Sequence, residues 1–376
     1  MEITKKKGSI VTPRERIKTL MKHKIPDHMG IYEHFWRNSW DGKWLDQGYP
    51  KGVVPDVYFD FDMLMCGGGL EYEPFAGHEE IMEETDKYIV SKNGFGATTK
   101  KWKSGYGTPE HLSFELITPD IWKKYRPALL DVSRSRLKDL EKQKEKFTSA
   151  RKDQKYVFFA SLFVFELMRC GMGDENFLPA MALEPEWIKD FCQVYLDFFR
   201  NHYEMLFKET GVPDGFMIYE DFAYSKGLYC SPAMLKELIF PYEKQLMDFL
   251  HDYGIDVILH CCGNMREAIP SFLDMGIDCL QAMEAKAGCD IVDIAGRYGN
   301  KLCYMGNIDI RALCSHDEQT VKDEIIPKLL YLKENRIPYV FHSDHSIPGE
   351  ISLVEYRRIL EIVKDNYAYG KTGINA

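Results

Sequence analysis

One stretch of the chain gathers groups that could hold a metal ion. Residues 257–264 read Val-Ile-Leu-His-Cys-Cys-Gly-Asn, an apolar run that ends in an imidazole and two thiols before a Gly-Asn turn. If the run is a strand, its side chains alternate, so His260 and Cys262 share one face and Cys261 points into the opposite layer. One nitrogen and one thiolate on the same face can grip a single Zn2+. The competing reading is three packed core residues, and for a lone His or Cys it is the stronger of the two. Two other segments could complete a ligand set: Met283-Glu284-Ala285-Lys286, and His342-Ser343-Asp344-His345. In the second, alternation places His342 and Asp344 together, so His345 is either excluded or sits on a loop. The adjacent carboxylates Glu220 and Asp221 suit a ligand, a base or a substrate acceptor, or else a helix cap or an ion pair. Asp309 reads as a helix cap. Glu33, His34, Phe35, Trp36 and Arg37 could line the mouth of a pocket.

These residues need a scaffold that brings distant strand ends together. Eight segments rich in β-formers are visible: 28–36, 56–64, 156–164, 215–223, 256–262, 278–284, 301–309 and 338–345. Helical patterns separate the later ones; Ser231 and Pro232 open one helix, and Gly254 and Gly276 fall where helices should stop. Strand–helix alternation in one chain predicts an α/β protein, a (β/α)8 barrel. In such a barrel the reacting groups stand at the carboxyl ends of the strands, which is where the candidates lie. No GxGxxG or GxxxxGK[ST] follows any strand, so a nucleotide-phosphate cradle is not expected. Residues 66–117 break the pattern with CGGG and Asn-Gly turns and read as an antiparallel hairpin inserted after the second strand. Residues 118–148 read as a long charged helix. The whole of 1–376 is expected to be one domain, loose over its first 12 residues and again from Gly370.

Composition narrows the partners. The 376 residues carry 48 Lys and Arg against 58 Asp and Glu, a formal net charge of −10. No basic stripe is visible, so neither nucleic acid nor membrane is an expected partner. The lysines near the N-terminus precede no apolar run, and the longest apolar stretches are about ten residues, too short to span a bilayer. A cytoplasmic protein with reduced thiols is expected.

The C-terminal half is also familiar. LHCCGNMREAIPSFLDMGIDCLQAMEAKAGCDI, YGNKLCYMGNIDIRALCSHDEQTVKDEI and FHSDHSIPGEISLVEYRRIL resemble the uroporphyrinogen decarboxylase superfamily, most closely its corrinoid-dependent methyltransferase branch. IPDHMGIYEHFW and EETDKYIVSKNGFGATTKKW resemble that branch too, so the likeness runs over nearly the whole chain. True decarboxylases of the superfamily carry an arginine-rich PxWxMRQAGRY-type signature for a substrate bearing eight carboxylates; IPDHMGIYEHFWRNSW has one arginine and two acids. The resemblance therefore implies methyl transfer between a small molecule and a cobalamin carried by a separate corrinoid protein, with a homodimer left open. It implies zinc held by His260, Cys262 and Glu284. The late Cys of the branch is absent, and by register Asp344 takes its place. Glu220, Asp221 and His342 are the candidate catalytic groups, and Trp36, Phe222, Tyr224 and Asn307 the candidate substrate contacts. A His/Cys/carboxylate set leaves more charge on the metal than two thiolates would, favouring O-demethylation of a methoxylated aromatic over thiol methylation.

Overall fold

The computed structural model describes residues 11–103 and 109–370. In chain order its strands are β1 (Gly30–Ile31), β2 (Met63–Gly67), β3 (Glu79–Glu84), β4 (Tyr88–Asn93), β5 (Thr98–Trp102), β6 (Glu110–Ser113), β7 (Tyr156–Leu162) and β8 (Gly215–Tyr219). There follow β9 (Ala223–Tyr224), β10 (Gly227–Leu228), β11 (Asp256–Cys261), β12 (Cys279–Ala282), β13 (Cys303–Met305) and β14 (Tyr339–Phe341). Eight of them form one parallel sheet in the order β1-β14-β13-β12-β11-β8-β7-β2. With helices outside, this is a (β/α)8 barrel.

The ring is not fully laced, since no ladder joins β1 to β2. A single carboxylate patches that seam: Asp62 donates its N–H to the Ile31 carbonyl at 3.1 Å and accepts the Ile31 N–H at 2.9 Å. The buried Arg16 neutralises it at 2.6 Å. Arg16 belongs to the helix Pro13–Met21, which Thr12 and Glu15 start with a reciprocal capping box. The expectation of a loose N-terminus thus stops short of Thr12; residues 1–10 and the tail from 371 lie outside the described residues.

All eight expected strands are present, the second displaced. Pro55 presets a helical φ, so the aromatic run 56–64 begins as a turn of helix, Pro55–Tyr58, and pairing starts only at Met63. The insertion is larger than one hairpin: β3 to β6 make a four-stranded antiparallel meander. The long helix expected over 118–148 is broken into Pro119–Tyr125 and Leu140–Lys152, with 3-10 turns between, because Pro127 cannot supply a helical N–H. Ser231 caps the helix Pro232–Leu238 through the Met234 N–H, as expected. No helix among the described residues is long and apolar enough to cross a membrane.

Candidate metal centre and its buried polar network

Register decides which side chains meet inside the barrel. On parallel strands His260 of β11 lies level with Tyr219 of β8 and with Gln281 of β12. Residues in register share a face, so all three turn inward. The Gln281 Oε1 hydrogen-bonds His260 Nδ1, which fixes the ring and leaves Nε2 free as a lone-pair donor. That nitrogen lies 3.3 Å from the Cys262 Sγ and 3.5 Å from the Asp221 Oδ1. Cys261 is fully buried in the opposite layer.

Gly263 makes the turn after Cys262 feasible. Its φ is +74°, and a Cβ there would stand 2.6 Å from the Ala223 carbonyl carbon. Only glycine lets the loop press against the β9–β10 hairpin while adopting this left-handed backbone. The same loop is tied down by Glu284, which accepts the Gly263 N–H at 2.8 Å, and by Asp221, which accepts the Cys262 N–H at 2.7 Å.

Two overlapping groups result. Asp221, His260 and Cys262 each present a ligand atom within 4.8 Å of the others, and so do Cys262, Glu284 and His345. Two ligands on a tetrahedral Zn2+ lie about 3.5 Å apart, given Zn–N near 2.0 Å and Zn–S near 2.3 Å, and the His260–Cys262 pair matches that edge. The His345 Nδ1 is buried without a well-formed hydrogen bond, its nearest acid being the Asp344 Oδ1 at 3.3 Å. Burial, and then Asp221, Glu284 and Asp344, push the Cys262 thiol well above its ordinary range. Lys286 already stands 3.3 Å from the Glu284 carboxylate, while the His260, Cys262 and Asp221 donors meet no cation among the described residues, and zinc fits that donor set.

Several sequence candidates do something else. Asp344 is fully buried, and each of its two carboxylate oxygens accepts a backbone N–H, from Ala285 and from Ile310, both at 3.0 Å; its Oδ1 also stands 3.3 Å from the His345 Nδ1, behind the second group. β14 has already ended at Phe341; the backbone is loop from His342, and strand alternation no longer governs which side chain faces the centre. Asn307 is consumed likewise: its amide donates to the Met283 and Cys289 carbonyls, both at 2.6 Å, and accepts the Ile291 N–H. It holds three loops and is not free for substrate. Glu220 turns outward and accepts the N–H groups of Phe165 and Glu166 at the start of the helix Val164–Met172. Phe222 is no pocket wall, being buried among Phe165, Phe240 and Phe272. Trp36 and Tyr224 are exposed at the rim, 41% and 43%. Asp309 caps its helix through the Arg311 N–H.

His342 enters a different arrangement, which sequence reasoning missed. Its Nε2 lies 3.2 Å from the His34 Nδ1, the His34 Nε2 lies 3.3 Å from the Tyr219 hydroxyl, and the Tyr219 ring stands edge-on to His260 at 4.9 Å. At the far end the His342 Nδ1 is 3.3 Å from Glu33. Burial pushes the Glu33 carboxyl up to about 8, against hydrogen bonds from Ser343 and the His34 N–H. Burial pulls His342 down to about 4, and burial with the neighbouring His342 and His260 holds His34 well below the usual imidazole range. Both rings are therefore neutral near pH 7, and the His342 proton stays on Nδ1, which donates to the Ser343 carbonyl at 2.5 Å.

Beside His34 a cavity of about 320 Å3 occupies the unlaced seam, between the segment after β1 (Tyr32, His34, Phe35), the side of β2 (Leu64, Met65) and the helix Leu140–Lys152. The only sequence signal for it is the cluster of chemically capable residues after the first strand.

The family of uroporphyrinogen decarboxylase (URO-D) matches residues 159–366. No curated protein sequence matches significantly. Among solved structures, a methyltransferase from Methanosarcina mazei superposes with a TM-score of 0.62 at 12% identity, over 95% of this chain and 99% of that one. A Xaa-Pro dipeptidase with bound methionine in its active site superposes with a TM-score of only 0.30, at 13% identity, over 59% and 56% of the two chains. The first likeness shows the barrel and its insertion to be a recurring architecture; the second is too poor to bear on the fold.

Proposed function

The chain belongs to the uroporphyrinogen decarboxylase family, and from that premise we propose that it is a zinc-dependent methyltransferase. It moves a methyl group between a small substrate, favoured as a methoxylated aromatic ether, and the cobalamin of a separate corrinoid protein. The observation that carries this reading is the His260 Nε2 and Cys262 Sγ at 3.3 Å, with the other ring nitrogen held by Gln281. Decarboxylation of a substrate with eight carboxylates would instead need several free guanidinium groups on the segment after β1. Arg37 is exposed and paired with Asp41, and Arg169 is paired with Glu166 and Asp174.

His260, Cys262 and Glu284 would hold the metal, with Asp221 or His345 completing the set. Zinc bound there supplies Lewis acidity toward an ether oxygen or a thiol. One thiolate in place of two favours the oxygen substrate. The Ser343 carbonyl takes the His342 Nδ1–H, so the His342 Nε2 accepts the His34 Nδ1–H and the His34 Nε2 accepts the Tyr219 O–H, a network that fixes the Tyr219 hydroxyl beside His260.

The test is metal analysis of the purified protein together with methyl transfer to cob(I)alamin from a methoxybenzoate. One zinc per chain is expected, lost together with transfer in His260→Ala. Full transfer by a zinc-free His260→Ala protein would overturn the reading. Demethylation of methylcobalamin by a thiol, with no activity on the ether, would replace the substrate and keep the site.

A further inference from the structure

Outside the metal centre, one groove carries an excess of positive charge. It has a volume of about 550 Å3 and lies between the tip of the β9–β10 hairpin (Lys226, Gly227), the loop after β11 (Asn264, Arg266, Glu267) and the end of the helix Ile291–Tyr298 (Arg297, Tyr298). Lys226, Arg266 and Arg297 are all exposed to solvent along the groove. Lys226, Arg266 and Arg297 have no carboxylate within 4.0 Å among the described residues, although Glu267 lines the same groove.

Two of the three cations are positioned by uncharged neighbours. The Arg266 Nε donates to the Asn264 Oδ1 at 3.0 Å, and the Arg297 guanidinium lies 5.5 Å from the centre of the Tyr298 ring. Such contacts orient a guanidinium while leaving its remaining N–H groups for a ligand. The loop carrying Arg266 is itself fixed: the Asn264 N–H donates to the Tyr224 carbonyl at 2.8 Å, on the hairpin that supplies Lys226. Asn264 is two residues from Cys262, so the groove begins at the rim of the candidate metal centre.

We propose that this groove binds a phosphate group. Two planar forks and one ammonium around a concave site are suited to a compact anion with several acceptor oxygens, which a flat protein face would not fill. The phosphate has two sources of the same chemistry: a free phosphorylated small molecule, or the phosphodiester in the nucleotide tail of a corrinoid. The groove does not depend on the methyl-transfer reading, because phosphate binding is measured with no turnover.

The experiment is calorimetric titration of the full chain at low salt with inorganic pyrophosphate, and in parallel with hydroxocobalamin and with cobinamide, which lacks the tail phosphate. Pyrophosphate should bind, and Arg266→Gln/Arg297→Gln should weaken it at least about tenfold, the scale of losing charge-assisted hydrogen bonds. The variant should keep the wild-type melting temperature and zinc content. Hydroxocobalamin binding more tightly than cobinamide to the wild type, and equally to the variant, would identify the corrinoid tail as the source. Equal binding of the two corrinoids, with pyrophosphate still sensitive to the variant, would identify a free phosphorylated ligand. Pyrophosphate affinity unchanged by the double substitution, or matched by citrate, would overturn the assignment of the groove to phosphate.

Discussion

The ends of β11 and of β13–β14 both carry polar residues, half-buried at the first and fully buried at the second, and they use them in opposite ways. After β13 and β14, Asn307 and Asp344 direct their side-chain oxygens and nitrogens at backbone groups of neighbouring loops. After β11, His260 and Cys262 face each other; around them stand His345 and also Asp221 and Glu284, each of which accepts a backbone N–H on one oxygen. A polar side chain satisfied by backbone is committed to holding a loop, since moving it would leave buried amides and carbonyls without partners. Side chains that face one another, with donor capacity to spare, are available to something that is not protein. Residue type does not separate the two cases; the identity of the hydrogen-bond partner does.

If the contrast is sound, substitutions at the two ends should fail differently. The largest effect is expected for Cys262→Ala, alongside His260→Ala. Methyl transfer should fall by about three orders of magnitude, the several kcal/mol that a Lewis-acid metal supplies. Zinc measured by mass spectrometry should drop to background, with urea unfolding little changed. Asn307→Ala should do the reverse, because three buried backbone groups lose their partner. About 3 kcal/mol of unfolding free energy should disappear in a urea titration, with zinc still bound to the chains that remain folded. Wild-type stability in Asn307→Ala, or unfolding of Cys262→Ala, would erase the distinction. Gln281→Ala tests the boundary, since Gln281 touches a ligand and holds no loop. Zinc affinity by chelator competition should weaken roughly 10- to 100-fold. Stability should move by less than about 1 kcal/mol, one ordinary hydrogen bond.

Much of this was legible in the chain, and the limits have physical causes. Period-two alternation placed His260 and Cys262 on one face because β11 continues as extended backbone up to Cys261. The same rule misdirected the choice of Asp344 over His345, since β14 stops at Phe341 and alternation has no meaning in a loop. Phe222 and Glu220 lie beyond Tyr219, where β8 has also ended. His34 was visible only as one of a cluster after the first strand, and Gln281 and Tyr219 could not be found from spacing at all. Their part depends on interstrand register, a long-range property set by the whole barrel. Asp309 was legible because a cap is local: an aspartate ahead of a helical pattern needs only the N–H two residues on.

The comparison has one intermediate case, Glu220 and its neighbour Glu243. Glu220 resembles Asp344 in accepting two backbone N–H groups, but behind it Glu243 is fully buried with neither carboxyl oxygen in a well-formed hydrogen bond. Two carboxylates cannot both be charged in such a place. Burial pushes the Glu243 carboxyl up to about 8 from an ordinary 4.5, so it keeps its proton in the folded protein at neutral pH. In the unfolded chain it ionises near 4.5. Stability is therefore whole below that pH and declines as pH rises from there to about 8, where the folded form must also ionise. Glu243→Gln removes the proton from the balance while keeping the shape. Its unfolding free energy should fall less steeply over this interval, by at most about 1.4 kcal/mol per pH unit. Parallel profiles for the two proteins in urea titrations across that range would mean that Glu243 is already ionised in the fold, with a partner cation that its surroundings do not reveal.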